Sequence, residues 1–414
     1  MPSTKTIAPD RIYTFMFGET VIDFFWGYLF GIIQIIFNKI VRSFYLFRFE
    51  LFVDNLLYPY YSVSRYRSKK FGTLFPLYGQ ICTGSFDVAS ELIQQCPVKT
   101  KYFGGLKQTG NYLHNDFLIF LPDSQNLKIE KQYINDMLES GESLMVTKNF
   151  YNSLTKGCST PKQMVGRLLR LFHESCLLMT PTFFELSVLK IQSLLMMPLV
   201  INSLLPNFVL SPLKKLTTFM YSLVYSRSPV VALHRGGLKQ FMSEIFPGLQ
   251  VALVAGVSFL EIRLELYKKD IVKHNKLIKR YFSENNIKIS NSYETYVEYE
   301  KSEYFKDVVN ITNEFLRLAP AVEVVTYSAK RDMITHHCSI PIYVKKGDPV
   351  NIHIPTVNRD PKRYKNPDKF IIDRDYSDMI TFNGKTAKRC PAENFIRKSL
   401  YIIVFNMLVN SLKE

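Results

Sequence analysis

A cysteine near the C-terminus has the surroundings in this chain that most favour chemistry. Cys390 lies in the stretch FNGKTAKRCPAEN (residues 382–394), between two cations and a proline, just ahead of a helical run. Its thiol could be a small packed hydrophobic group, a reactive nucleophile or a metal ligand. The residues upstream of the cysteine bear on which of these it is.

Three charged residues precede the cysteine in a fixed order. Glu314 and Arg317 stand three apart in an amphipathic helical run that stops at Pro320, so they can pair on one face. An E-x-x-R spacing alone arises by chance in many long helices. Arg374 follows a P-x-x-F in NPDKFIIDR, and Cys390 comes sixteen residues later. The four residues together, in order and within roughly the last quarter of the chain, form a specific signal.

This C-terminal part resembles the cytochrome P-450 haem-thiolate family. EFLRLAP is similar to the E-x-x-R motif of its K-helix, and the stretches that carry Arg374 and Cys390 are similar to its PERF region and cysteine loop. The resemblance implies that Glu314, Arg317 and Arg374 form a salt-bridged structural triad that holds the cysteine loop. It also implies that Cys390, as thiolate, is the axial ligand of the iron of haem b, iron protoporphyrin IX.

The chemistry of the cysteine loop agrees with that implication. A thiolate ligand pushes electron density onto iron and favours cleavage of an oxygen–oxygen bond. Lys388 and Arg389 directly precede Cys390, and a helix N-terminus follows it, so positive potential would help to keep the sulfur deprotonated.

The loop also departs from the common family pattern F-x-x-G-x-R-x-C-x-G. Gly384 lies six residues before the cysteine, Lys388 stands where an arginine usually meets a haem propionate, and Ala392 replaces the last glycine. A lysine still neutralises a propionate, but as a point charge. Lys128 and Lys131 are further candidates to bind a propionate, in place of a W-x-x-x-R that the chain lacks. The alternative for both is a solvated helix face.

These departures resemble the allene oxide synthase and hydroperoxide lyase branch, in which a lysine two before the cysteine is familiar. HRGGLKQFMSEIFP (residues 234–247) is similar to the I-helix segment of that branch, and FLIFLPDSQNLKIEKQYINDML (residues 117–138) to its approach to the C-helix. The resemblance extends loosely over about residues 70–412. Members of the branch isomerise or cleave fatty-acid hydroperoxides. The substrate supplies its own oxygen–oxygen bond, so neither O₂ nor a reductase is needed.

The same resemblance makes His234, Gly236, Gly237 and Lys239 the candidate catalytic residues of the I-helix. Leu233 occupies the position of the catalytic asparagine of the branch, and a leucine cannot donate a hydrogen bond to a peroxide. His234 could donate from the next position, although a helix turns about 100° per residue. The glycines would let substrate or haem approach the backbone closely. The alternative for His234 is a packed or surface histidine.

Two other functions remain open. A reductase-dependent monooxygenase would show A-G-x-[DE]-T, whose acid and threonine deliver protons to bound oxygen. The stretch AGVSFLE (residues 255–261) has Ser258 but neither an adjacent acid nor a threonine. The third alternative is a degenerate haem-binding relic without efficient turnover, which Leu233 and Ala392 both permit.

The pattern of apolar residues predicts a mainly α-helical chain with a small β portion, as in a cytochrome P-450-like fold with an α-helical domain and a small β-rich subdomain. We expect an N-terminal hydrophobic helix in residues 1–60 and a single haem domain in residues 61–414. Within that domain, residues 71–110 are predicted to be β-rich and residues 123–320 helical. Residues 321–414 are predicted to contain strands, the cysteine loop and the last helix.

Composition limits the partners and the compartment. The formal net charge is +16, but the lysines are scattered, and neither a regularly spaced basic helix nor an aromatic RNA-stacking motif occurs, so we expect no nucleic-acid partner. The six cysteines lie far apart, which is too sparse for a disulfide scaffold and lacks zinc-type pairing. We therefore expect the protein to lie in a reducing compartment, facing the cytosol.

One N-terminal segment raises the possibility of a membrane partner. Residues 21–37 are apolar except for Asp23 and Gln34, and Lys39 and Arg42 follow. The apolar run is shorter than the roughly 20 residues that span a bilayer. It could be a short or interfacial anchor or a buried first helix. We therefore expect a lipid-like substrate and a membrane surface as candidate partner, at the endoplasmic reticulum if the cell is eukaryotic.

Overall fold

The structure is a computed structural model that describes residues 74–77, 80–95, 125–158, 160–187, 219, 222–234, 236–244, 256–322, 324–328, 332–337, 340–344, 346, 349–377, 379–384 and 389–413. The predicted N-terminal helix and Lys388 lie outside these residues. The chain divides into two compact units, one formed by residues 1–109 and 322–367, the other by residues 110–321 and 368–414. The expected single haem domain of residues 61–414 stays a prediction.

The helices and strands follow one another in a mainly helical order. In the first part of the chain they are β1 Leu74–Leu77, β2 Gln80–Thr83, α1 Phe86–Gln95, α2 Gln125–Met145, α3 Lys148–Thr155, α4 Pro161–Cys176, α5 Pro229–Ala232 and α6 Gly237–Glu244. They continue with α7 Gly256–Val272, α8 Asn275–Glu284, α9 Tyr293–Lys301, α10 Phe305–Leu318, β3 Val324–Ser328, β4 Met333–His337, β5 Ile340–Val344, β6 Pro349–His353, α11 Ile354–Val357 and α12 Glu393–Asn410. The predicted fold class, mainly α with a small β portion, is confirmed.

The strands of the first unit form a small mixed sheet and a separate hairpin. The sheet has the order β1-β2-β6-β3, in which β2 runs parallel to β6 and the other neighbours are antiparallel. Strands β4 and β5 pair antiparallel with each other. In β3, Val325 and Tyr327 lie two residues apart, so they share one face of the strand, and both are buried.

Helix α1 lies within residues 71–110, the range that was predicted to be β-rich. Among the described residues of that range, β1 and β2 are strands and Phe86–Gln95 is helical, so the β-rich character of the whole range stays a prediction. Ala89 and Ile93, four residues apart, are both buried, so the apolar residues follow the helical period. Asp87 in the first turn and the bond from the Phe86 amide to Asp360 Oδ2 (2.8 Å) stabilise the start of the helix.

In the second unit, α4 packs against α2 and α7, and α12 packs against α10. Helix α4 begins with a capping box, in which Thr160 and Gln163 bond each other's backbone, and with Pro161 in the first turn. Its buried side chains, which include Leu168 and Phe172, lie on one face. Among the described helices, none combines the length and the apolar character needed to cross a bilayer.

The closest approach of α2 to α4 gives a stability prediction. A Cβ atom added at Gly141 would lie 2.2 Å from Cys176 Sγ, whereas one added at Gly166 would meet nothing within 4 Å. We expect Gly141→Ala to lower the free energy of unfolding by about 1–3 kcal/mol, because the overpacked thiol must move. Gly166→Ala is the matched control and should raise it by up to about 1 kcal/mol.

Urea unfolding would measure both changes. Cys176→Ala removes the sulfur, so adding it to Gly141→Ala should recover most of the lost stability. A Gly141→Ala variant as stable as Gly166→Ala would show that the two helices do not approach as described.

A second prediction concerns His353, which ends β6 and is fully buried with Nδ1 2.8 Å from Thr356 Oγ1. Burial, with a contribution from Arg359, lowers the pKa of His353 to about 3. The unfolded chain therefore binds a proton at higher pH than the folded chain does. The contribution of the neutral His353 side chain to the free energy of unfolding is therefore fully present above the unfolded pKa of about 6.5, and it decreases as the pH falls towards 3.

Between pH 7 and pH 5 this one group should lower the free energy of unfolding by about 2 kcal/mol. Urea titrations at the two pH values test this, with His353→Gln as the neutral comparison. The pH dependence of the variant should be smaller by that amount. If both proteins lose the same stability, His353 takes up its proton in the folded state as readily as in the unfolded state.

Candidate functional site

The centre of the candidate site is the carboxylate of Glu314 on α10. Its side chain and that of Arg317, one turn later, are fully buried. Arg317 donates from Nε to Glu314 Oε2 and from Nη2 to Oε1, both at 2.7 Å. This is the bidentate geometry for which a guanidinium is suited, and it satisfies both carboxylate oxygens from within the helix.

A second segment approaches the same carboxylate from the other side. The backbone N–H of Ile371 donates to Glu314 Oε1 at 2.8 Å, and Arg374 donates from Nε to the same oxygen at 3.2 Å. Nη2 of Arg317 and Nη2 of Arg374 each lie 3.3 Å from the carbonyl oxygen of Lys369, to which they donate. The structure thus brings the three predicted triad residues together in one buried cluster.

Tyr376 is a member of this cluster that sequence reasoning missed. Its hydroxyl lies 3.3 Å from Glu314 Oε2 and 3.0 Å from the carbonyl oxygen of Ile371. Burial, and next the charge of Glu314, raise the pKa of Tyr376, so the phenol keeps the proton that it donates. The only sequence signal was its position two residues after Arg374, which does not distinguish it from the chain's other tyrosines.

The cysteine loop begins beside this cluster. Thr381 Oγ1 donates to the carbonyl of Leu316 on α10 at 3.1 Å, and the Cys390 amide donates to the carbonyl of Phe382 at 3.0 Å. Asn383 and Gly384 both have positive φ, 67° and 58°. Two consecutive left-handed residues turn the chain sharply, and the glycine adopts that conformation without a Cβ clash.

Cys390 is half-buried, and its sulfur is in no disulfide. It lies just before α12, whose first residue Glu393 donates its amide to the Cys390 carbonyl at 3.3 Å. Arg389 is paired with Glu393 (Nε to Oε2, 2.6 Å), and so is Arg397 (Nε to Oε1, 2.8 Å). The charge of Arg389, next to the cysteine, is therefore paired with Glu393. Sequence reasoning did not predict this ion pair.

These features fit a thiolate ligand to haem iron. The sulfur is in no disulfide, is partly accessible, and is held in a loop whose beginning and end are both hydrogen-bonded. A cysteine thiolate is also the soft donor that this chemistry requires. Among the described residues, no group of three or more His, Cys, Asp or Glu side chains could hold a metal ion.

The candidate I-helix residues lie in a different environment from the one expected. His234 is 3% exposed and packs edge-on against Tyr133 of α2, with ring centroids 4.8 Å apart, and against Phe241 at 6.0 Å. Leu233 is 83% exposed. The role of His234 as a donor to a peroxide stays a prediction.

The turn between α5 and α6 interrupts the predicted I-helix segment at its glycines. Gly237 has a φ of 61°, and its amide donates to the His234 carbonyl at 2.7 Å. Gly236 and Lys239 are exposed. A non-helical turn replaces the expected continuous helix because a glycine accepts positive φ at little cost.

The other candidates lie on α2 and α7. Lys128 is exposed and Lys131 is half-buried, three residues apart near the start of α2. Gly256, which opens α7, is buried, and a Cβ there would lie 3.8 Å from that of Ala321. Glu261 of α7 approaches the ammonium of Lys162 to 3.8 Å. Binding of a haem propionate by either lysine of α2 stays a prediction.

Comparison with known proteins agrees with this geometry. Residues 271–391, which include Glu314, Arg317, Arg374 and Cys390, match the family model of cytochrome P-450. A divinyl ether synthase of Solanum tuberosum is 29% identical over 103 residues, which are 22% of this chain and 22% of that protein. The match thus spans about a fifth of the length of the curated relative.

Two solved structures have a similar fold. One is P450BioI in complex with hexadec-9Z-enoic acid ligated acyl carrier protein, with a TM-score of 0.60 at 13% identity over 86% of this chain and 92% of that chain. The other is epothilone B-bound cytochrome P450epoK, with a TM-score of 0.52 at 14% identity over 85% and 89% of the chains. The predicted cytochrome P-450-like fold is confirmed.

The buried cluster leads to a prediction about stability. Glu314→Gln replaces one carboxylate oxygen by an amide N–H₂ group, which must point its hydrogens at a guanidinium. It also leaves the positive charges of Arg317 and Arg374 without the carboxylate that compensates them. We expect a loss of about 3–5 kcal/mol in the free energy of unfolding, measured with urea. Glu174→Gln, at the solvent-exposed pair with Arg170, is the matched control and should change it by no more than about 1 kcal/mol.

Tyr376→Phe provides the graded test if Glu314→Gln does not fold. It removes one donor to Glu314 and should cost about 1 kcal/mol. Equal effects of the two glutamate variants would contradict the central role of the Glu314 carboxylate.

Proposed function

We infer that this chain, as a member of the cytochrome P-450 superfamily, is a haem-thiolate enzyme. We propose that it rearranges or cleaves fatty-acid hydroperoxides without O₂ or a reductase. The observation that carries the proposal is the partly accessible Cys390, whose sulfur is in no disulfide, in a loop held by hydrogen bonds beside the buried Glu314 cluster.

The chain's own residues would bind and orient the cofactor, for which we propose haem b. Cys390 would hold the iron through its sulfur, and Lys388, Lys128 and Lys131 are the proposed partners of the propionates. When bound, a haem with a thiolate ligand supplies the chemistry for cleaving a peroxide bond. The Glu314 cluster would fix the position of the sulfur, because both ends of the loop are hydrogen-bonded to neighbouring backbone.

The surroundings of α7 support a substrate that carries its own oxygen–oxygen bond. A monooxygenase needs an acid that delivers protons to bound oxygen. Glu261, the first acid of α7, is within 3.8 Å of Lys162 and so is engaged at the surface. A hydroperoxide isomerase or lyase does not depend on such a relay, because the substrate already contains the reduced oxygen.

The divinyl ether synthase match supports the same class and suggests which product to assay first. We propose that a fatty-acid hydroperoxide loses water to give a divinyl ether, or rearranges or cleaves to related oxylipins. Since the match covers only 22% of this chain, the substrate and product are proposals.

A lipid surface is the proposed partner that would supply such a substrate. Phe183 and Phe184 are exposed by 87% and 71%, and the chain carries a net charge of +16. Exposed aromatic side chains on a basic protein favour an anionic bilayer. We propose a cytosol-facing, membrane-associated location, with no reductase as partner.

Haem ligation is the first test. The purified chain should bind haem, and its ferrous–CO complex should show the red-shifted Soret band of thiolate ligation. Cys390→Ser should lose that band. Cys176→Ala, at a buried cysteine of α4, is the matched control and should keep it. A chain that binds no haem, or a Cys390→Ser variant with an unchanged spectrum, would refute the proposal.

Turnover is the second test. The haem-loaded protein should consume a fatty-acid hydroperoxide without NADPH or reductase, measured by loss of diene absorbance and by mass spectrometry of the products. Cys390→Ser should lower the rate by at least about a hundredfold, with Cys176→Ala unchanged. Turnover only with NADPH and a reductase would establish the monooxygenase instead, and haem binding without either activity would establish the relic.

A further inference from the structure

A surface pocket of about 520 Å³ opens in the second unit, where the C-terminal ends of α3 and α12 meet the loop between α8 and α9. None of the residues predicted to hold haem or substrate lines it. The lining residues are Asn152, Thr155, Lys156, Gly157, Cys158, Asn291, Asn410 and Lys413. They include two cations and three amides, and no carboxylate.

The hydrogen-bond acceptors at the end of α3 are already used. The amides of Lys156 and Cys158 donate to the carbonyls of Asn152 (2.8 Å) and Thr155 (3.0 Å). Nη1 of Arg167 lies 3.0 Å from the carbonyl oxygen of Ser153 and 2.8 Å from that of Lys156, and donates to both. Arg167 thereby also compensates the negative end of the helix dipole.

The acceptors at the end of α12 are used in the same way. The carbonyls of Met407, Val409 and Asn410 accept bonds from the amides of residues 411–413 at 3.1, 3.1 and 3.0 Å. Ser411 Oγ donates to the carbonyl of Leu408 at 2.8 Å. Helix ends usually offer free carbonyls, but here they are satisfied within the chain. The pocket therefore has few acceptors to offer a ligand.

The amides of the pocket are oriented so that donors remain. Lys413 Nζ donates to Asn291 Oδ1 at 3.0 Å, which turns Asn291 Nδ2 towards Oδ1 of Asn410 (3.2 Å) and Oδ1 of Asn406 (3.4 Å). Asn406 Nδ2 is in turn held by the carbonyl of Ile402 at 2.8 Å, which fixes this assignment. With its Oδ1 engaged, Asn410 keeps its amide N–H₂ group for a ligand.

We propose that this pocket binds an oxyanion of the phosphate class, either free phosphate or a phosphorylated ligand such as a lipid headgroup. The ammonium groups of Lys156 and Lys413 supply the charge, and the amides of Asn410 and Asn152 supply directed donors. Such an anion has more acceptor oxygens than hydroxyl donors at neutral pH, which matches a donor-rich, acceptor-poor pocket. The site does not depend on haem.

Phosphate titration of the full chain tests the proposal. At constant ionic strength, with chloride as the comparison anion, phosphate should raise the apparent stability in a saturable way. Asn410→Asp keeps the shape and the acceptor for Asn291, but it replaces the donor by a negative charge, so the Kd should rise at least about tenfold. Lys156→Gln combined with Lys413→Gln should do the same.

A matched double variant controls for the general attraction of a basic protein for anions. Lys276→Gln with Lys279→Gln removes two exposed lysines from α8, with the same change in net charge. It should leave the Kd within about twofold of the unaltered chain. If phosphate stabilises all variants equally, or no more than chloride does, the effect is an unspecific screening of charge and the proposal is wrong.

A second measurement, made at one residue of the pocket, complements the phosphate titration. Cys158 lines the pocket and is half-buried, so bound phosphate should slow its alkylation, measured at the Cys158 peptide by mass spectrometry, and leave that of Cys390 unchanged. Equal slowing at both cysteines, or none, would contradict the proposed position. Vesicles of phosphatidylcholine with and without phosphatidic acid distinguish a headgroup from free phosphate. Stronger protection of Cys158 by the phosphatidic acid vesicles than by free phosphate would identify the headgroup as the preferred ligand.

Discussion

The buried carboxylate of Glu314 is the interaction on which the geometry of the candidate site depends. Removing a carboxylate from water costs several kcal/mol, and attraction offsets this only where every lone pair is used. Glu314 receives Arg317 twice, the amide of Ile371 and Nε of Arg374, with the Tyr376 hydroxyl also in reach. These donors come from two segments of the chain, residue 317 and residues 371–376, which lie more than 50 residues apart in sequence. Such an arrangement is satisfied only when both segments are in place, so it specifies position more than it adds net stability.

The position of the cysteine follows from this cluster through α10. Just after Glu314, the Leu316 carbonyl accepts the bond from Thr381 at the start of the loop. Just before it, Asn313 Oδ1 accepts a bond from Arg397 of α12, beyond the end of the loop. The Arg397 guanidinium also lies over the ring of Phe382, 5.2 Å from its centroid. Residues 313–316 thus hold both ends of the segment that carries Cys390, and a change at Glu314 would be transmitted to the sulfur through short, direct contacts.

The features of the fold and the site that could be predicted were those with a local signal in the sequence. The pairing of Glu314 with Arg317 follows from helical spacing alone, and the fold class follows from periodicity and from the order of four residues. The Tyr376 hydroxyl, the Lys369 carbonyl and the pairing of Arg389 with Glu393 were not predicted. A carbonyl has no side-chain signature, and a tyrosine or an i,i+4 ion pair is too common to be singled out. Helix α1 was missed because glycines and prolines around it outweighed an apolar period of only two turns.

The two parts of the expected site, the Glu314 cluster and the segment from Leu233 to Lys239, are held in place by very different interactions. Glu314 and Arg317 at the centre of the first cluster are fully buried, and the members of the cluster depend on one another, so substitutions there change the fold before they change the chemistry. The segment from Leu233 to Lys239 has an exposed leucine, a left-handed glycine at residue 237 and an exposed lysine, with His234 alone packed among aromatic rings. Few interactions oppose substitution at its exposed positions. Substitutions at the exposed positions of the second segment are therefore expected to cost little stability, whereas substitutions in the first cluster are expected to cost much. This asymmetry agrees with the sequence, in which the three charged residues and the cysteine stand in the order that the resemblance predicts, whereas Leu233 stands where the resemblance predicts an asparagine.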